Sequence, residues 1–274
     1  GETVLGQSFQ TFPGGKGANQ AIACARSGGV PTAMLLALGH DSFAQPLEDS
    51  LSAAGVQMHI RRSTEPTGTA FICVDDAGEN AITVAPGANG TLGASDLPAL
   101  DGVSHLVMQL EIPVGTVTAY AQAARARRVQ VVLNAAPAQA LPADLLDHVD
   151  VLIVNEGELA TVSGQAVDAQ DAASIDAALA RLGVPQVIVT LGGAGAVARW
   201  DGRTVRQGAY AIDPVDTTAA GDSFVGAFVA AIAQGISIRT ALQQANAAGA
   251  LACLKAGAQS SIPTRADVLA FASR

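Results

Sequence analysis

Five short apolar runs set the limits on how this chain can fold. They are TAMLLALG (32–39), HLVMQL (105–110), QVVLNA (130–135), DVLIVN (150–155) and QVIVTLG (186–192), and each reads as a strand buried on both faces. Between them, AQPLEDSLSAAG, VGTVTAYAQAARAR and DAASIDAALARLG place apolar residues three and four apart, the helical period. Repeated strand–helix–strand units imply a mostly parallel sheet covered by helices on both faces. The C-terminal region is expected to be helical over 221–234, about 238–255 and 264–272.

Two regions break this rhythm. GETVLGQSFQTF (1–12) and the stretch from Val56 to Pro86, with its runs TGTAFICVD and NAITVAP around the turn-rich DAGE, have no helix to pair with. They predict a small antiparallel lid, residues 1–13 with 57–86. It would stand off an α/β core of 14–56 and 87–274, as a cover or a subunit contact.

The 274 residues, 49% hydrophobic and 14% charged, suffice for one large core. No apolar run approaches the ~18 residues of a membrane span. A net charge of −9 argues against a nucleic-acid surface. The cluster Arg125, Arg127 and Arg128 reads as a solvated helix end. A polyanionic ligand would therefore need local amides and a metal to hold it against the overall field. Cys24, Cys73 and Cys253 are far apart and read as small buried residues of a reducing cytoplasm; the four histidines are equally scattered.

Several glycine-rich stretches invite a nucleotide reading. The pattern G-x-x-x-x-G-K-[ST] is absent, because residue 17 is glycine and residue 10 glutamine. Gly193, Gly195 and Ala198 form a weak G-x-G-x-x-A, with Asp213 about 20 residues on. A dinucleotide fold needs a helix after those glycines, whereas AVARW-DG-RTVRQ reads as a β-hairpin turned by Asp-Gly. In FPGGKGANQAIACARSGG (12–29) the glycines open a helix, with Lys16 and Asn19 in its first turn. Such a start can hold a polyhydroxylated or anionic ligand, or be an ordinary loop. In DTTAAGDSFVGAFVAAI (216–232), Asp222 follows three tiny residues at the mouth of an apolar helix. It is either a helix N-cap or a catalytic base beside an anion hole.

Taken in order, PGGKGANQA, MQLE (108–111), LNAAPA (133–138), NEGE (155–158), TLGGAG (190–195), DTTAAGD and KAGAQSSIP (255–263) resemble the ribokinases of the phosphofructokinase-B family of carbohydrate kinases. The resemblance runs along essentially the whole chain, and the paired G-G-K-G-A-N and D-T-x-A-A-G-D blocks are its most specific part. It implies a three-layer ribokinase-like fold and ATP-dependent phosphorylation of a sugar, with ribose the expected acceptor and ATP, Mg²⁺ and K⁺ the expected cofactors.

Residue by residue, the resemblance makes Asp222 the base and the amides of Ala219, Ala220 and Gly221 the anion hole. Gly15, Lys16, Gly17, Ala18, Asn19 and Glu111 would contact the sugar. Asn155 and Glu158 would position Mg²⁺, largely through water, and the phosphates. Thr190, Leu191, Gly192, Gly193, Ala194 and Gly195 would line the nucleotide together with Gly221, and Asn246 would sit near its adenine or ribose. Asp216, Thr218, Ala252, Lys255, Gly257 and Ser261 would form a monovalent-cation site, mostly of carbonyl oxygens. The strand pattern of the lid, with no crossover helix to bury it, also predicts that it closes over the sugar and pairs with a second subunit as a homodimer. Ribokinases open with a strand bearing an N-x-D, and the sequence starts at GET, after that point. The expectation is therefore a truncated chain whose sheet has unpaired backbone. A fructokinase, deoxyribose kinase or nucleoside kinase would share the phosphate machinery, and a non-catalytic binding relative would share the fold.

Overall fold

The structure, a computed structural model, describes residues 10–74 and 80–274. The alternation of elements follows the sequence pattern. Helix α1 (Lys16–Arg26) leads to strand β1 (Ala33–Leu38), helix α2 (Ala44–Ala53) and strand β2 (Gln57–Arg62). Strands β3 (Thr69–Val74) and β4 (Asn80–Ala85) follow. The chain then alternates β5 (His105–Met108), α3 (Val114–Ala126), β6 (Gln130–Asn134), the short α4 (Ala143–Leu146) and β7 (Val151–Asn155). Next come α5 (Glu156–Ser163), α6 (Ala172–Ala180), β8 (Gln186–Thr190), β9 (Ala196–Trp200) and β10 (Arg203–Gln207). Helices α7 (Ala220–Ala233), α8 (Ile238–Ala252) and α9 (Arg265–Ala272) complete the described chain.

The main sheet has the order β10-β9-β8-β7-β6-β5. It is parallel from β5 to β8 and antiparallel where β9 and β10 join. Successive residues of each central strand point into different cores. Val131, Leu133, Leu152, Val154, Val187 and Val189 face the layer of α3, α5 and α6. Val132, Val151, Ile153 and Ile188 face Phe224, Phe228 and Leu242 of α7 and α8. This double burial is why these strands are continuous apolar runs. A third core joins α1, β1 and α2 through Ile22, Leu38 and Leu51.

The hairpin expected in place of a dinucleotide motif is present. β9 and β10 pair antiparallel with Trp200 opposite Arg203, and the two turn residues between them, Asp201 and Gly202, both have positive φ (49° and 71°). That is the two-residue hairpin turn favoured by the twist of its strands. No helix follows Gly195.

The expected antiparallel unit is smaller than its sequence suggested. β3 and β4 pair antiparallel, Thr69 opposite Ala85, but β2 does not join them. It pairs in parallel with β1, Ala33 opposite Gln57, through a crossover over α2. Residues 57–62 therefore belong with the α/β part, and β1–β2 form a two-stranded sheet separate from the main one. The part of the lid expectation on residues 1–9 lies outside the described residues. Phe71 and Val84 of the hairpin are exposed, and so is Cys73, contrary to its expected burial. Cys24 and Cys253 are buried as expected. Among the described residues no helix is long and apolar enough to cross a membrane.

Candidate active site

The residues singled out by their motifs gather at the C-terminal ends of the parallel strands, where open α/β sheets bind ligands. Gln109 and Glu111 follow β5, Asn134 ends β6, Asn155 ends β7 and Thr190 ends β8. Asn155 and Thr190 are direct partners in the β7–β8 register.

α1 and α7 bring the two glycine-rich blocks together. Gly226 of α7 lies against the backbone of α1: a Cβ there would stand 2.4 Å from Ala23 Cβ, 2.7 Å from Gln20 O and 2.8 Å from Cys24 N. Only a residue without a side chain permits this approach. The first turn of α1 consequently reaches Asp222. Asn19 Nδ2 donates to Asp222 Oδ2 at 2.8 Å, and Gln20 Nε2 donates to Asp222 Oδ1 at 2.9 Å.

Asp222 is not the N-cap of its helix. Ala219 is, in the left-handed conformation (φ 59°, ψ 9°), and Asp222 is the third residue inside. Its carboxylate is directed at α1 instead of capping amides, so the N-cap reading does not hold. A left-handed alanine is disfavoured by roughly 1–2 kcal/mol, and strain of this kind gathers at functional sites. Here it aims the start of α7, with its partial positive charge, into the site. Of the three expected anion-hole amides, that of Ala220 also donates to Thr217 O at 3.2 Å.

Gly15 is the N-cap of α1 with φ 91°, a conformation open to glycine. Lys16 N donates to Glu111 Oε2 at 2.9 Å, so one oxygen of the expected sugar-binding carboxylate anchors the glycine loop. Burial holds the Glu111 carboxyl above its ordinary range; the Lys16 amide and ammonium oppose that shift, and the Asp222 charge adds to it. Glu158 is raised by burial likewise, with Lys16 lowering it and Asp222 raising it. Lys16, Glu111, Glu158 and Asp222 therefore share one electrostatic neighbourhood. Asn19 Oδ1 is buried with no partner, leaving an acceptor for a hydroxyl donor. Gly17 and Ala18 lie in the same turn, where a Cβ on Gly17 would meet Gln109 Oε1 at 3.1 Å.

Asn155 and Glu158 form a reciprocal capping box. Glu158 N donates to Asn155 Oδ1 and Asn155 N to Glu158 Oε2, both at 2.8 Å. One carboxylate oxygen is thereby fixed; the other carries no such cap. In the nucleotide stretch, Gly192, Gly193 and Ala194 are exposed, Leu191 and Gly195 are buried, and Leu191 N donates to Gly195 O. Thr190 Oγ1 donates to Val154 O at 3.4 Å. Asn246 Nδ2 is tied to the carbonyls of Gln207 and Gly208, which fixes its amide and leaves Oδ1.

Asp216 joins two distant loops. Oδ1 accepts from Thr218 N and Oγ1, and Oδ2 accepts from Gly257 N at 2.8 Å. It caps a turn and ties that turn to the 255–261 loop. The hydrogen bonds from Thr218 and Gly257 hold its carboxyl below the ordinary range, although burial opposes them. Val215 N and Asp216 N both donate to Cys253 O, and Ser261 Oγ to Ala258 O. Ala252 is buried, while Lys255 is exposed.

Gln20, Asn134 and Gln109 were not among the expected site residues. Gln20 lies in the middle of an alanine-rich helix, and its partners are 114 and 202 residues away. All three lie within quoted blocks, PGGKGANQA, MQLE and LNAAPA, which marked their places without giving them a role.

Comparison with known proteins identifies the family and the fold. The model of the pfkB family carbohydrate kinases matches residues 1–265. A ribokinase of Haemophilus influenzae is 39% identical over 99% of this chain and 90% of its own length. A Bacillus subtilis ribokinase is 36% identical, covering 98% and 90%. Among solved structures, Arabidopsis thaliana ribokinase complexed with ribose and ATP superposes with a TM-score of 0.91 at 33% identity, covering 100% of this chain and 91% of that one. A Thermotoga maritima ribokinase gives 0.87 at 34% identity, covering 100% and 92%.

Proposed function

The chain belongs to the pfkB family of carbohydrate kinases, and from that premise we propose that it transfers the γ-phosphoryl group of ATP to the 5-hydroxyl of D-ribose. The single observation that carries the reading is the carboxylate of Asp222, held by Asn19 and Gln20 at the opening of α7. A base must lie beside the point where phosphoryl charge develops, and the amides at a helix start favour that charge. The hydroxyl oxygen bonds to the γ-phosphorus while the bond to the ADP oxygen breaks, and the hydroxyl proton passes to Asp222. Lys16, Asn19 and Glu111 orient the sugar. The nucleotide lies along residues 190–195, with Asn246 near its adenine or ribose.

Glu158 and Asn155 offer the hard oxygens a magnesium ion takes, and the uncapped oxygen of Glu158 fits one that keeps several waters. Such an ion supplies charge neutralisation for the phosphates. Comparing kcat/KM for ribose, fructose, deoxyribose and a nucleoside, each with ATP and Mg²⁺, tests the assignment. Ribose is expected to lead, and a nucleoside or fructose leading would overturn it.

Two finer parts follow. The loops joined by Asp216 form a monovalent-cation site, in which an ion held by loop carbonyls and Asp216 steadies the amides of 219–221. At constant ionic strength, turnover is expected to rise more with K⁺ than with Na⁺, and Asp216→Ala to remove the response. Equal rates in K⁺ and in a large organic cation would refute the site. The exposed apolar residues of the β3–β4 hairpin are the contact of a homodimer, which fits their exposure on both strands. Light scattering should report a dimer, and a monomer across a wide concentration range would exclude it.

A further inference from the structure

The site contains a side chain shielded from solvent that grips Asp222. Gln20 is 1% exposed. Its Nε2 donates to Asp222 Oδ1 and to Asn134 Oδ1, both at 2.9 Å, so both amide hydrogens are committed. Its Oε1 accepts from Gln109 Nε2. Asn134 in turn donates from Nδ2 to the carbonyl of Ile153 at 3.1 Å.

The direction of this chain follows from its two ends. Ile153 O can only accept, so Asn134 must turn Nδ2 towards it and Oδ1 towards Gln20. An ionised Asp222 carboxylate can also only accept. Gln20 therefore presents its amide nitrogen to both, and its oxygen is left for Gln109. A flipped Gln20 amide would set oxygen against oxygen at two buried contacts, each an unsatisfied polar group. The ends of β5, β6 and β7 thus fix the orientation of one amide, and that amide fixes Asp222.

We propose that Gln20 is a positioning residue for the phosphoryl-transfer step: with Gln109 and Asn134 it locks Asp222 in one orientation, holding Oδ1 inward and leaving Oδ2, beside Asn19 of the sugar loop, to take the hydroxyl proton. The proposal deepens the reading of Asp222 as the base and rests on it. On proton transfer Oδ2 becomes the carboxyl O–H and keeps one lone pair for the bond from Asn19, while Oδ1 keeps its bond from Gln20, so neither amide has to turn during the step. That spares the site a rearrangement during reaction, the condition for preorganised catalysis.

Gln20→Met keeps the length and bulk of the side chain and removes both donors. Its kcat is expected to fall about 10–100-fold, the scale of misplacing a reacting group by about 1 Å, while KM for ribose and ATP stays within about twofold. Lys16, Glu111 and Glu158, the other ionisable groups facing Asp222, are untouched by the change. Rates are normalised to the nucleotide-binding fraction, so partial unfolding cannot imitate the effect. If Gln20→Met does not fold, Gln20→Asn replaces it, a polar side chain about one carbon–carbon bond too short to reach Asp222. A folded variant with kcat within about twofold of the parent, or one whose loss lies mainly in a raised KM, would overturn the proposal. Asp222→Asn separates the two claims: if it stays active, the base assignment fails, and if it is dead while Gln20→Met is fully active, only the positioning role fails.

Discussion

Asp222→Asn is expected to lower kcat by ~10²–10⁴-fold, the contribution of a positioned general base. That corresponds to about 3–5 kcal/mol of barrier. The substitution keeps the size of the side chain and removes its capacity to take a proton at neutral pH. It also turns an acceptor-only carboxylate into an amide whose NH₂ would face the donors of Asn19 or Gln20. Nucleotide affinity should change little, since the residues expected to line the nucleotide, apart from Gly221, lie at the end of β8, in the loop after it and on α8, outside this hydrogen-bond group. Retention of more than about half the parental kcat would show that another group accepts the proton.

Gly226→Ala is expected to damage stability and turnover together. The added methyl would stand 2.4 Å from Ala23 Cβ and within 2.8 Å of two backbone atoms of α1, so the helices must part. Overpacking typically costs about 1–3 kcal/mol, and the backbone cannot yield as a flexible side chain can. The usual gain of about 1 kcal/mol for alanine over glycine within a helix offsets only part of this. A melting temperature lower by several degrees follows, at roughly 2–4 °C per kcal/mol for a chain of this size. Because α1 carries Asn19 and Gln20, moving it also releases Asp222, and kcat should fall even in the folded fraction. Gly115→Ala in α3 is the control: a Cβ there meets nothing within 4 Å, and its melting temperature should hold or rise. A Gly226→Ala protein as stable and active as the parent would refute the role given to this crossing.

Much of the architecture could be read from local pattern. The doubly buried strands β6 to β8 identify themselves because both faces need apolar residues, and Val131 and Val132 serve opposite cores, whereas the edge strand β5, expected to be buried likewise, is only partly covered. The Asp201–Gly202 hairpin is equally local, since the turn depends on two positive φ values. β2 was misplaced because QMHIRR carries the same alternation as the hairpin strands after it, and only its partner, β1, distinguishes them. The helix boundary at Ala219 depends on one left-handed residue that alanine does not advertise. The glycine-rich blocks named Asp222 and Asn19 through resemblance. The bonds between them required two helices to cross at Gly226, a contact that spans some two hundred residues. The role of Gln20 was illegible for the same reason: it lies in the PGGKGANQA block, but its partners Asn134 and Asp222 are distant in sequence.

The most direct test of the account is phosphorus NMR of the purified protein incubated with ATP, Mg²⁺ and D-ribose. One new phosphomonoester should appear, coupled to the two methylene protons at C5 of ribose, in step with ADP and absent with Asp222→Asn. A phosphate on another ribose oxygen, or ATP consumed only to inorganic phosphate, would contradict it.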